Sequence, residues 1–197
     1  MVEYLDELSK HHRVVRFDVN MGPRHFATSP HILELLPEYF VLTDSDLVFN
    51  KNLPNTFIED MKKVIDCCGV SKAGFALNMD ETVHEFFNKD YVRSHEREFW
   101  NNQVPQTELS IPDKVYRAPI DTTFCLFKKS IYAQELNDAN GSIIHTSAVR
   151  IADRFACEHM GWWLKQPVSD DELEYYKMTH NGWCSTLVDK IKLGYEK

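Results

Sequence analysis

Apolar positions recur with two different periods along this chain, and the changes of period mark out its elements. Val2, Leu5 and Leu8 are spaced three apart and predict a helix over residues 2–10. Residues 14–19 alternate apolar with charged side chains and predict a strand, closed by the break Asn20-Met21-Gly22-Pro23. Ser29 and Pro30 supply an N-cap and a first-turn proline for a helix carrying Ile32, Leu33, Leu35 and Leu36, which Pro37 stops. Residues 39–42, Tyr-Phe-Val-Leu, are a continuous apolar run that predicts a central strand buried on both faces. A helix over 55–68, with Phe57, Met61, Val64 and Ile65 on one face, ends at Gly69. A strand over 72–79 follows, then helices over 82–88 and 90–102, the second with Tyr91, His95 and Phe99 in one stripe. Residues 103–119 read as loops or a hairpin, 120–128 as a strand, and a polar helix starts at Asp170. Helices and strands alternating in this way predict an α/β sheet with helical crossovers.

The length of 197 residues fits one domain with room for a core, and 43% apolar with 26% charged residues is ordinary for a globular chain. A net charge of −8 argues against a broad nucleic-acid-binding surface. No apolar run approaches the roughly 18 residues of a membrane span. The first ten residues, acidic and amphipathic, are neither a signal peptide nor a basic anchor. Five cysteines, two of them adjacent at Cys67 and Cys68, show neither a disulfide framework nor paired CxxC spacing, and read as reduced core thiols of a cytoplasmic protein. There is no internal repeat, low-complexity tract or linker that would divide the chain.

Asp44 and Asp46 change the picture. They stand where the strand 39–42 ends, and ligands of open α/β sheets bind outside the carboxyl ends of strands. Two carboxylates separated by one serine can hold a divalent cation, which can hold a diphosphate. The other reading of Asp44-Ser45-Asp46 is a turn stabilised by side-chain bonds to the backbone.

Several segments, in order, resemble a GT-A glycosyltransferase, closest to the family-2-like sugar transferases of bacteria and large DNA viruses. Asn20-x-Gly22, a helix, and a strand ending in TDSD resemble that group's asparagine and glycine, helix, and DxD strand. KAGFALNM (72–79) resembles the following strand, and APIDTTFCLFKK (118–129) the segment lining the donor-sugar side. SAVRIADRFACEHMGWW (147–163) resembles a segment ending in His-x-x-Trp and an aromatic, and DDELEYYKMTHNGWCS (170–185) the one beyond it. The resemblance implies a GT-A-like, Rossmann-type mixed β-sheet flanked by helices. Residues 1–79 would form the nucleotide and metal part, and 80–197 the donor-sugar and acceptor part. Such proteins begin with a strand–helix–strand unit whose second strand ends in an aspartate that contacts the nucleoside. No counterpart stands upstream of Asp18, so the expected fold lacks that unit.

The resemblance also implies roles. Asp46 would coordinate Mn²⁺ or Mg²⁺ directly, and Asp44 would act partly through water or the ribose. His159 would be a third ligand on the diphosphate side, its alternative being a packed histidine beside Trp162 and Trp163. Asp121 would accept hydrogen bonds from sugar hydroxyls or act as general base, or else cap a loop, with Asp153 and Glu158 as weaker bases. Asn20 carries the first motif of the nucleotide site, and Arg24 and Arg150 would approach the diphosphate unless they are solvated surface residues. Trp100, Trp162 and Trp163 would stack on sugar or base, or pack in the core. His11 and His12 read as charges favourable to a helix end.

The function implied is metal-dependent transfer of a sugar from a UDP-hexose to a carbohydrate or other hydroxyl acceptor. A nucleotidyltransferase is the first rival, but it calls for a Gly-rich basic phosphate loop that this chain lacks. A non-catalytic sugar- or protein-binding relic is the second.

Overall fold

A computed structural model describes residues 2–18, 21–22, 24–79, 89–160 and 169–179. Helix α1 (Val2–Ser9) forms where the spacing predicts it. The described part of the predicted strand 14–19 is irregular instead. Val15 is 63% and Phe17 51% exposed, so the alternation has no buried face to pin it, and no ladder includes it among the described residues. A single turn, α2 (His25–Thr28), leads to α3 (Pro30–Leu35), with Pro30 in the first turn. Ser29 serves that start through its carbonyl, which accepts from Leu33 N at 3.0 Å, and not through its hydroxyl.

Strand β1 (Tyr39–Leu42) has the predicted bounds and is followed by the short β2 (Leu47–Val48). Helix α4 (Phe57–Cys68) ends at Gly69, whose φ of 62° is the left-handed cap that glycine adopts without a Cβ penalty. Strand β3 (Lys72–Phe75) occupies only the first half of the predicted 72–79, and beyond it Leu77 makes a single bridge to Cys157. The predicted helix 82–88 lies outside the described residues. Helix α5 (Lys89–Arg97) stops short of the predicted 102 and tightens into the 3₁₀ turn Glu98–Trp100. The span predicted as loops or a hairpin contains β4 (Val115–Arg117). Strand β5 (Cys125–Lys128) is the second half of the predicted 120–128, followed by α6 (Lys129–Asp138), β6 (Ala148–Ile151), β7 (Glu158–His159) and α7 (Asp170–Thr179).

The larger sheet runs β1-β5-β3-β6-β4, with β1, β3 and β6 pointing one way and β5 and β4 the other. β1 is thus an edge strand and not the central one, and of its four residues only Phe40 is buried. The middle strand is β3, buried at every position. One face packs Ala73, Phe75, Leu126, Val149 and Ile151 against Met61, Val64 and Ile65 of α4. The other packs Phe40, Cys125 and Phe127 under Tyr132 and Leu136 of α6 and Leu33 of α3. The chain is therefore a mixed α/β fold, its mixed sheet flanked by helices.

Because strand side chains alternate, Ala73 and Phe75 face α4 while Lys72 and Gly74 face the second core. A Cβ added at Gly74 would stand 2.8 Å from Ile120 Cδ1, 2.8 Å from the Phe124 carbonyl oxygen and 3.3 Å from Cys125 Cβ. Gly74→Ala should lower the urea midpoint at constant slope, by about 1–3 kcal/mol in stability, as overpacked cores do. An unchanged midpoint would mean that the segment over β3 yields freely.

Lys72 is fully buried; its Nζ donates to the Ile120 carbonyl at 2.9 Å and also to the Ile143 carbonyl. Burial pushes its pKa from 10.5 down to about 8, opposed by Cys125, Asp121 and Glu135. Between those two pKa values the unfolded chain binds more protons than the native state, so this lysine adds stability as pH rises from about 8 to 10.5. The buried thiols act oppositely: burial raises Cys68 to about 11 and Cys125 and Cys157 to about 12, removing stability above their ordinary 9.0. Subtracting Lys72→Met from wild type isolates the lysine. The difference should shift toward wild type by on the order of 2–3 kcal/mol across that window, and parallel pH–stability curves would refute the depressed pKa.

Candidate metal centre

The carboxyl ends of β1, β3 and β6 share one edge of the sheet, and antiparallel β5 begins there. The pairing of Leu42 with Cys125 sets the loop after β1 beside the loop before β5. A second ladder completes the assembly. β2 pairs with β7 so that Leu47 is opposite His159, and Met160 N donates to the Asp46 carbonyl at 2.8 Å. This register brings His159 to the Asp44-Ser45-Asp46 turn.

Asp44, Asp46 and His159 each offer one ligand atom, all within 4.8 Å of one another. His159 Nε2 lies 3.5 Å from Asp44 Oδ2 and 3.6 Å from Asp46 Oδ1. Donors held at about 2.0–2.2 Å from one cation stand about 3–3.5 Å apart; the two histidine–carboxylate spacings lie close to that, and the three ligand atoms stay within 4.8 Å of one another, so the set fits a metal ion. The side chains of Asp44, Asp46 and His159 are 21%, 43% and 18% exposed, sheltered yet reachable. Two carboxylates and an imidazole suit Mn²⁺ or a similar first-row ion, with Mg²⁺ the harder alternative. Burial opposes charge on His159, but the hydrogen bond to Asp44 and the charges of Asp46 and Asp44 outweigh it, and its pKa is raised. The carboxylates thus favour positive charge at the position a metal would take.

Thr122 Oγ1 donates to Asp44 Oδ2 at 3.0 Å and holds that carboxylate. Sequence reasoning missed this contact, although the hydroxyl pair Thr122-Thr123 directly after Asp121 was its visible signal. Asp121 is in the loop before β5, not in a strand, and its two oxygens accept from Arg24 Nε at 2.6 Å and from Arg24 Nη2. Arg24 therefore grips the aspartate with its two-pronged donor set.

Arg150 is turned inward. Its Nη1 donates to Glu96 Oε2 at 2.8 Å and its Nε to the Pro119 carbonyl at 2.9 Å, and its guanidinium lies 3.9 Å from the centroid of the Phe99 ring. Burial pushes Arg150 down and Glu96 up, each opposed by the other's charge. Asp153 has a φ of 53°, and its Oδ2 accepts from Lys114 N at 2.9 Å, tying its turn to the chain before β4. Glu158 lies on β7 next to His159. Trp100 packs on Tyr116 with ring centroids 5.2 Å apart. His11 and His12 follow the end of α1, and both backbone N–H groups donate to the Leu8 carbonyl. Asn20, Trp162 and Trp163 lie outside the described residues. Cys67, Cys68, Cys125 and Cys157 are free thiols.

Comparison with protein-family models, with curated proteins and with solved structures finds no match to this chain. Among the described residues no helix is long and apolar enough to cross a membrane.

Proposed function

We propose that this chain is a metal-dependent glycosyltransferase of GT-A-like fold that moves a hexose from a UDP-sugar to a hydroxyl acceptor on a glycan or similar molecule. One observation carries the reading: His159, remote in sequence, converges with Asp44 and Asp46 at the strand-end edge of a mixed α/β sheet. The strand-DxD order and the His-x-x-Trp segment agree with it.

Asp46 and His159 would hold Mn²⁺ or Mg²⁺ together with Asp44, and the bound ion supplies Lewis-acid stabilisation of the departing diphosphate. Thr122 orients the Asp44 carboxylate. Asp121, gripped by Arg24, is the chain neighbour of Thr122, and the resemblance gives it the sugar hydroxyls or the incoming acceptor. There it would orient a hydroxyl or take up its proton.

The test is calorimetric and enzymatic together. UDP should raise the melting temperature only with Mn²⁺ or Mg²⁺ present, and a UDP-hexose should be hydrolysed or transferred with the same dependence. An equal UDP shift in chelator would refute the metal bridge. A second reading, non-catalytic sugar or protein binding, draws on the engagement of both Arg24 and Arg150 by internal carboxylates. Metal-dependent UDP binding with no turnover on any UDP-hexose would favour it.

A further inference from the structure

We propose that Lys72 is a positioning residue for the metal centre: rooted in the middle strand, its ammonium ties the Ile120 and Ile143 carbonyls and so sets where Asp121 and Thr122 stand against Asp44. The inference rests on the reading that Asp44, Asp46 and His159 bind a divalent cation.

The segment before β5 makes no ladder, yet it carries Thr122, which holds Asp44, and Asp121, which Arg24 grips. Beside the Arg150 bond to the Pro119 carbonyl and the side-chain bonds of Asp121 and Thr122, its backbone is held at two points. At its start, the Ile120 side chain is buried over Gly74 and the Ile120 carbonyl accepts from Lys72 Nζ at 2.9 Å. At its end, the Phe124 carbonyl accepts from Phe75 N at 2.9 Å. Asp121, Thr122 and Thr123 span the interval between these anchors. The same ammonium donates to the Ile143 carbonyl, which also accepts from Thr146 Oγ1 at 2.9 Å. Lys72 therefore clips together two segments that share no strand pairing.

The environment of Lys72 makes this an unusual use of a charge. Cys125 and Phe127 of β5, Asp121 in the loop, Glu135 of α6 and Arg150 of β6 face it, with the Phe127 ring centroid 5.7 Å from Nζ. Its hydrogen bonds nevertheless go to neutral backbone carbonyls and not to a carboxylate. An apolar side chain of similar length would fill the space without burying a charge, but it would leave the Ile120 carbonyl without this donor. What it adds is a fixed location for two carbonyls. Holding a site in place at the expense of stability is a recurrent compromise in proteins.

The experiment compares wild type, Lys72→Met, Lys72→Gln and the core variant Val64→Ala, which loosens α4 on the face of the sheet opposite Lys72. Hydrogen exchange of the 118–124 peptide is measured without metal, and Mn²⁺ affinity by calorimetry. Lys72→Met should speed exchange there by about tenfold or more, and weaken Mn²⁺ binding by a similar factor, while the β6 peptide stays protected. Lys72→Gln, with one donor group on a shorter stem, should fall between and carries the test if the methionine variant does not fold. A folded Lys72 variant with wild-type exchange and wild-type Mn²⁺ affinity overturns the proposal. Equal loosening of the segment in Val64→Ala overturns it too, since the effect would then be general. Wild type without Mn²⁺ affinity would end the metal reading, and the exchange arm would still decide whether Lys72 holds the loop.

Discussion

Asp46→Asn should leave the protein folded and eliminate the Mn²⁺-dependent part of UDP stabilisation. The fold survives because Asp46 joins the β2–β7 ladder through its backbone carbonyl, which the substitution keeps. Asparagine preserves shape but removes one of two negative charges, and with it the charge match to a divalent ion. In wild type, UDP at about a hundredfold over its dissociation constant should add about 2.7 kcal/mol, a rise of roughly 5–10 °C for a domain this size. The variant should show the same small shift with Mn²⁺ as with chelator. Retention of the full Mn²⁺-dependent shift would move the metal away from Asp46, and a lower melting temperature without ligand would mark the side chain as structural.

Glu96→Gln should be among the most destabilising single changes, by about 3–5 kcal/mol, because it leaves a buried guanidinium beside a neutral amide. Glu96 and Arg150 are both buried, and their 2.8 Å bond joins α5 to β6. Arg150 also sits opposite Gly74 of β3 and Tyr116 of β4, so disorder there reaches the middle of the sheet. Replacing both partners by apolar residues, Glu96→Leu with Arg150→Met, should recover much of the loss. Urea unfolding of the three variants decides the matter. If the single variant unfolds like wild type, water reaches the pair and its burial is overstated.

Features legible in the sequence were those where one local cause dominates. The apolar run 39–42 and the one-faced helix ending at Gly69 stand where the pattern puts them. The convergence of Asp44, Asp46 and His159 was also anticipated, though only through the resemblance, since no spacing argument links a turn to a residue so remote. Misreadings arose where burial and strand pairing part company. Ile120 and Phe124 belong to the loop before β5 and are apolar because that loop is buried there, which makes the strand starting at Cys125 look longer than it is. Val15 and Phe17 alternate properly but are exposed, so the period had no core to serve. β4 and β6 are too short for a period to show, and β6 carries an arginine whose buried partner lies on a distant helix. Partner choice of that kind is a tertiary fact. The resemblance assigns Arg150 a diphosphate contact without sight of that partner, and assigns Lys72, a lone charge within KAGFAL, nothing.

The β2–β7 ladder has a kinetic corollary. It joins Leu47 to His159, so closing the ligand set brings together residues from opposite halves of the chain. Closing so long a loop costs entropy that local contacts avoid, so the set is expected to complete late in folding. A metal that needs all three ligands therefore stabilises the native state without stabilising the transition state. Mn²⁺ should leave the refolding limb of a chevron plot unchanged and slow the unfolding limb, making ion occupancy a determinant of how long the folded chain persists.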